Sequence, residues 1–178
     1  MDASPDFEDL LRLLHRHEVR YLVIGGLAFI YHARPRYTKD MDLWIDPSPA
    51  NVRHANAALT EFGSPYLLLV DEPEEILQLG LPPNRIDLLR TVKGPSFGQA
   101  WRRRITGKYG RADVNWLDLE SLIDVKSRID DPRHRRDVRD LEAVRALKQR
   151  ASEPAATPGA RAPRSRRRPG GSGGRLPR

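Results

Sequence analysis

The chain has no cysteine, only 7% aromatic residues, and 39% apolar against 31% charged residues. Without thiols there are no disulfides and no thiolate metal sites, and the composition fits a cytoplasmic protein. No run approaches the ~20 apolar residues that cross a membrane, so no membrane partner is expected. The longest runs, Tyr21–Ile24 and Leu27–Tyr31, are the size of core segments. The first residues, MDASPDFEDLL, are acidic and lack the basic stretch that opens a secretory signal, so none is expected. Internal repeats are absent as well.

Large apolar residues almost vanish after residue 150. Residues 151–178 contain five Pro, five Gly, seven Arg and a single acid, Glu153, which gives +6 of the chain's +7. Residues 1–150 hold 24 basic and 23 acidic residues. This divides the chain into a folded domain over 1–150 and a basic tail over 151–178. Such a tail cannot bury enough surface to offset its ordering entropy, so disorder is expected there. The basic balance belongs to the tail and says little about the domain.

Within the domain, apolar residues at 7, 10, 11 and 14 predict a helix over 7–18, capped by Ser4 or Asp6. Tyr21–Ile24 predicts a strand ending at Gly25-Gly26, and 27–33 a short helix stopped near Pro35. Residues 41–46 alternate, with Met41, Leu43 and Ile45 on one face and Asp40, Asp42, Trp44 and Asp46 on the other. A helix over 49–62 is closed by Gly63. Strands are expected at 66–70 and 85–89, a helix at 97–104 and a hairpin around Gly110. Helices at 117–129 and 133–150 form a C-terminal pair. The pattern is α/β or α+β, a small mixed sheet flanked by helices.

Chemistry concentrates on Asp40 and Asp42. Residues i and i+2 of a strand point to the same side, roughly 7 Å apart at about 3.3 Å per residue. Two carboxylates so placed repel unless a cation neutralises them or one takes a proton. Oxygen ligands of this kind suit Mg²⁺, which commonly binds carboxylates together with substrate phosphates. Asp87 lies on the alternating segment Arg85–Leu89. If the two strands pair, three carboxylates converge, enough for two ions about 3.5–4 Å apart. Upstream, Gly25-Gly26 sit between a strand and a helix, where backbone N–H groups can meet a phosphate. Other conspicuous residues carry less. His15 and His17 diverge on a helix end, Trp44 and Trp116 read as wall or core, and Trp101-Arg102-Arg103-Arg104 reads as a solvated helix face with a half-buried Trp rather than a nucleic-acid contact.

The segment Y-L-V-I-G-G, thirteen residues, then D-M-D-L-W-I resembles the signature of the DNA polymerase beta-like nucleotidyltransferase superfamily. The later R-I-D-L-L looks like its third-carboxylate strand. Arg36-x-Thr38-x-Asp40-x-Asp42, D-L-E-S-L-I-D-V-K-S-R-I and R-R-D-V-R-D-L are similar to small bacterial members, among them toxins of abortive-infection-type toxin–antitoxin systems. The resemblance spans about 7–148. It implies a nucleotidyltransferase fold, an NTP (such as ATP) as substrate and Mg²⁺ or Mn²⁺ as cofactor. It implies an acceptor such as RNA or tRNA, with a protein or small-molecule hydroxyl as rival, and a cognate antitoxin as partner.

By the same resemblance, Asp40 and Asp42 are metal ligands and catalytic, Asp87 is the third ligand or the base near the attacking group, and Lys126 joins them with Asp137 ahead of Asp140. Gly25, Gly26, Arg36, Thr38 and Lys39 are nucleotide-binding. Gly26 replaces the Ser of many members and so lacks a hydroxyl. The alternative class is a catalytically silent binding or regulatory module whose tail engages nucleic acid.

Overall fold

The computed structural model describes residues 4–38, 40–81 and 84–152. The expectation for Lys39 and that for the tail from Glu153 onward lie outside these residues. Helix α1 (Pro5–Arg16) starts with Pro at its first turn, where no N–H is needed. Ser4 occupies the N-cap position, although its side chain makes no capping bond. Leu10, Leu11 and Leu14 are fully buried against α3 and β6, each worth roughly 1.5–3 kcal/mol of burial.

The sheet is built from β1 (Tyr21–Val23), β2 (Asp40–Ile45), β3 (Leu77–Leu79), β4 (Arg85–Leu89), β5 (Ile105–Tyr109) and β6 (Ala112–Trp116). Their order is β3-β4-β2-β1-β6-β5. The sheet is mixed: β1 runs antiparallel to β2 and parallel to β6, and β2 runs parallel to β4. Helices α2 (Gly25–His32), α3 (Pro49–Phe62) and α4 (Phe97–Arg103) surround it, with the C-terminal pair α5 (Leu119–Ser127) and α6 (Pro132–Ser152). The expected mixed sheet and helix pair are therefore present. Helix α6 continues to Ser152, two residues past the change in composition. Among the described residues no helix is long and apolar enough to cross a membrane.

One strand expectation fails. Residues 66–70 form no strand, because side chains from elsewhere take their backbone groups. The Asn56 amide receives the Leu68 N–H and donates to the Leu68 carbonyl, both at 2.9 Å. The buried Arg90 guanidinium donates to the carbonyls of Leu69, Val70 and Glu72. The strand that does flank β4 is the three-residue β3, whose Leu77 and Leu79 are buried while Gln78 is exposed.

Local signals position the site. Met41, Leu43 and Ile45 are fully buried, which turns Asp40 and Asp42 to the opposite face of β2. Trp44, on that same side, is also core, its Nε1 donating to the Arg90 carbonyl at 3.1 Å. Asp118 caps α5 by accepting from the Ser121 N–H at 3.1 Å, which sets the start of the helix that carries Lys126.

Candidate active site

The parallel pairing of β2 with β4 sets Asp42 opposite Asp87 and Asp40 opposite Arg85. The two acidic segments, 45 residues apart by the Arg85–Asp40 separation, thus become neighbours. Next to them, β1 delivers the chain into α2. Gly25 takes φ +63°, and a Cβ there would lie 1.8 Å from Asp42 Oδ2. Both conformation and space demand glycine at this position. The Gly26 N–H, at the open start of α2, faces the Asp42 carboxylate and favours its charged form.

The Asp42 carboxyl is held above the usual carboxylate range. Burial is the main cause, and the charges of Asp87 and Asp40 add to it; the Gly26 N–H and Lys126 oppose it. Asp40 Oδ1 is buried without a hydrogen-bond partner. All donors here are hard oxygens, and one buried oxygen lacks a cation or donor, so the set fits Mg²⁺ or Mn²⁺. Among the described residues, no three acidic or imidazole side chains are grouped about one point as a finished cage. Arg85 stands among them instead. Its Nε and Nη2 donate to the two oxygens of Asp87 at 2.9 and 2.8 Å, and Nη2 also reaches Asp40 Oδ2 at 3.2 Å.

A cavity of about 690 Å³ opens beside this cluster. Gly25, Gly26, Arg36, Thr38, Asp40, Asp42, Lys126 and Asp137 all line it. Asp87 does not; it lies one strand over, in the arms of Arg85. The far wall comes from the C-terminal pair. Lys126, 2% exposed, donates to Asp137 Oδ2 at 2.8 Å, and Arg36 donates to Asp137 Oδ1. Burial lowers the Lys126 ammonium from its ordinary value, and Asp137 pulls it back up. Arg36 also lies over the Phe29 ring, 4.3 Å from its centroid. Asp140 points elsewhere and pairs with Arg34 at 2.8 Å on the surface.

Sequence reasoning missed several wall residues. Lys93, Arg133 and His134 line the cavity. His134 Nδ1 is buried without a partner, and burial, then Lys126, lowers the ring's proton affinity. Arg85 carried a readable signal, since i and i+2 on a strand put it on the face of Asp87. Trp101 lies on a separate cleft of about 650 Å³, stacked on Phe97 and covered by Arg104 at 4.0 Å. Trp116 is core. His17 is paired with Glu61 at 2.7 Å.

No protein-family description and no curated protein matches the chain. Solved structures do. An antigenic nucleotidyltransferase-like protein from Paracoccidioides brasiliensis superposes with a TM-score of 0.50 at 14% identity, covering 82% of this chain and 78% of that one. A lincosamide antibiotic adenylyltransferase, LnuA, bound to lincomycin, gives 0.50 at 13% identity, covering 81% of this chain and 99% of its own. The chain has the nucleotidyltransferase fold. Within that fold, the hydrogen-bonded adjacency of β1 and β2 is what brings the glycine turn against the β2 carboxylates. Helix α5, which forms one side of the cavity, follows directly on β6, whose end is tied to β1 by the Leu117 N–H donating to the Val23 carbonyl at 3.0 Å.

Proposed function

We propose that this chain transfers a nucleoside monophosphate from an NTP to an acceptor hydroxyl, releasing pyrophosphate. The observation that carries the reading is the register of Asp42 with Asp87, beside the Gly25-Gly26 entry to α2, with Asp40 and Asp42 on the wall of one cavity. Asp40, Asp42 and Asp87 would hold divalent metal, which neutralises the α-phosphate and activates the attacking oxygen. The N–H groups at the start of α2 that Asp42 does not engage would donate to phosphate oxygens. Arg36, Lys93 and Arg133 supply positive charge on the cavity wall for the remaining phosphates. Asp137 is the positioning residue that holds Lys126 and Arg36 in place.

The acceptor we favour is RNA. Arg133 lies on the wall at the start of α6, and Arg136 and Arg139 are exposed on the same helix. The residues after 152 add +6. That distribution suits a polyanion whose phosphates need neutralising. The test is incubation of the protein with labelled NTPs, Mg²⁺ and either total RNA or a panel of hydroxylated antibiotics. Label in the RNA fraction with stoichiometric pyrophosphate supports the reading. Label in the antibiotic arm alone replaces RNA by a small molecule. No pyrophosphate with any NTP rejects the activity.

A further inference from the structure

The Asp40–Asp87 pair already has a cation, and it belongs to the protein. Arg85 and Asp87 share a face of β4, and Asp40 is the residue directly across from Arg85 on β2. The register therefore places the guanidinium within reach of both carboxylates. The guanidinium fills the gap between them with two parallel bonds to Asp87 and one to Asp40 Oδ2, at 2.8–3.2 Å. Asp87 is largely buried, at 10% side-chain exposure, and Asp40 half-buried, at 31%, so the pairing is only partly screened by water. Arginine does not lose its charge, accepts no hydrogen bond and ligates no metal. While it holds Asp87 in both arms, a divalent ion shared by Asp40 and Asp87 meets a like charge and oxygens that are already engaged.

We infer that Arg85 is a resident counter-cation of the carboxylate cluster, which a divalent ion must displace before it can be shared by Asp40 and Asp87. This rests on the proposal that these carboxylates hold metal. The unpartnered Asp40 Oδ1 fits it, because Arg85 neutralises only the other oxygen of that carboxylate and leaves one for an incoming ion. Two consequences follow. The repulsion between Asp40 and Asp87 is offset without metal, so the domain should fold in its absence. Metal affinity is in turn set below what the three carboxylates alone would give, by the charge-assisted bonds that must break.

The test is calorimetric titration of Mn²⁺ alone into the full chain without nucleotide, for wild type, Arg85→Gln, Arg85→Lys and Asp42→Asn. Arg85→Gln should bind Mn²⁺ about tenfold more tightly or better, the scale of one lost charge-assisted bond. Arg85→Lys, a point charge without the fork, should fall between. Without metal, Arg85→Gln should melt below wild type and recover more on adding Mn²⁺. If Arg85→Gln does not fold, Arg85→Lys decides, and equal affinity to wild type overturns the inference. Equal or weaker binding by Arg85→Gln, with wild-type binding abolished in Asp42→Asn, overturns it and leaves the metal site standing. Absence of Mn²⁺ binding in wild type and both Arg85 variants removes the metal reading and this inference together.

Discussion

Thr38 and Gly26 share one space: Thr38 Oγ1 lies 2.5 Å from the point where a Cβ on residue 26 would sit. The hydroxyl that the glycine lacks is thus supplied at nearly the same place from the β2 approach. Gly26→Ser should therefore add no binding and instead push Thr38 aside. Affinity for a non-hydrolysable NTP with Mg²⁺, measured by calorimetry, should fall about tenfold, the scale of one hydrogen bond to a charged group. Gly26→Ser with Thr38→Ala should recover most of it. A single variant with wild-type affinity would show that this contact is only structural.

Asp42→Asn addresses the metal. The amide oxygen can still face the Gly26 N–H while the charge is removed. The variant should melt above wild type without divalent ions, because a buried carboxylate beside Asp87 and Asp40 is destabilising. Mg²⁺ should raise the wild-type midpoint through binding to the native state and leave the variant unmoved. An Mg²⁺ response that survives in Asp42→Asn would exclude this residue as a ligand.

Much of this was legible from the chain alone, for reasons that differ by element. The alternation of β2 and the Gly25-Gly26 turn are local, so the face of Asp40 and Asp42 could be read directly. The Asp42–Asp87 register is a long-range pairing that no local pattern states; it could only be posed as a condition. The strand expected at 66–70 failed because Asn56 and Arg90, distant in sequence, take its backbone groups. At three residues, β3 is too short to show a period. His134 gave no signal of its own, since a single histidine on a charged helix reads as surface.

Lys126 predicts a pH dependence. Burial holds its ammonium below the ordinary value of 10.5, so in the interval up to 10.5 the unfolded chain binds the extra proton. Stability from this group therefore rises with pH there. The cost of burying the charge is fully present below the folded-state value and gone above 10.5. In urea unfolding from pH 7 upward, wild type should gain on Lys126→Met as the pH rises. A flat difference would mean that Asp137 fully offsets the burial.

Asp137→Ala should be the costlier change at this pair, about 3–5 kcal/mol, because it leaves the buried Lys126 charge uncompensated. Equilibrium unfolding near neutral pH measures it. A loss under 1 kcal/mol would mean that water or another carboxylate replaces Asp137.

Removing residues 153–178 takes away +6 of charge. The shortened chain should keep its melting midpoint and its NTP affinity and lose RNA affinity chiefly at low salt. Each lost phosphate contact should flatten the log–log salt slope by roughly 0.7–0.9. Since arginine–phosphate contacts carry no sequence information, the choice of RNA should not change. Superimposable binding curves at two salt concentrations would leave these residues without a role in the acceptor.

The bond between Lys126 and Asp137 also sets a schedule. The acid that balances Lys126 is carried by α6, and so is Leu141, fully buried under the same helix. During synthesis, the sheet, the glycine turn and all three carboxylates emerge well before either residue. Until then Lys126 lacks its hydrogen-bonded acid and the far wall of the cavity is missing. The nascent chain would thus carry all three carboxylates of the proposed metal site while lacking an enclosed cavity, which closes only when the last described helix docks.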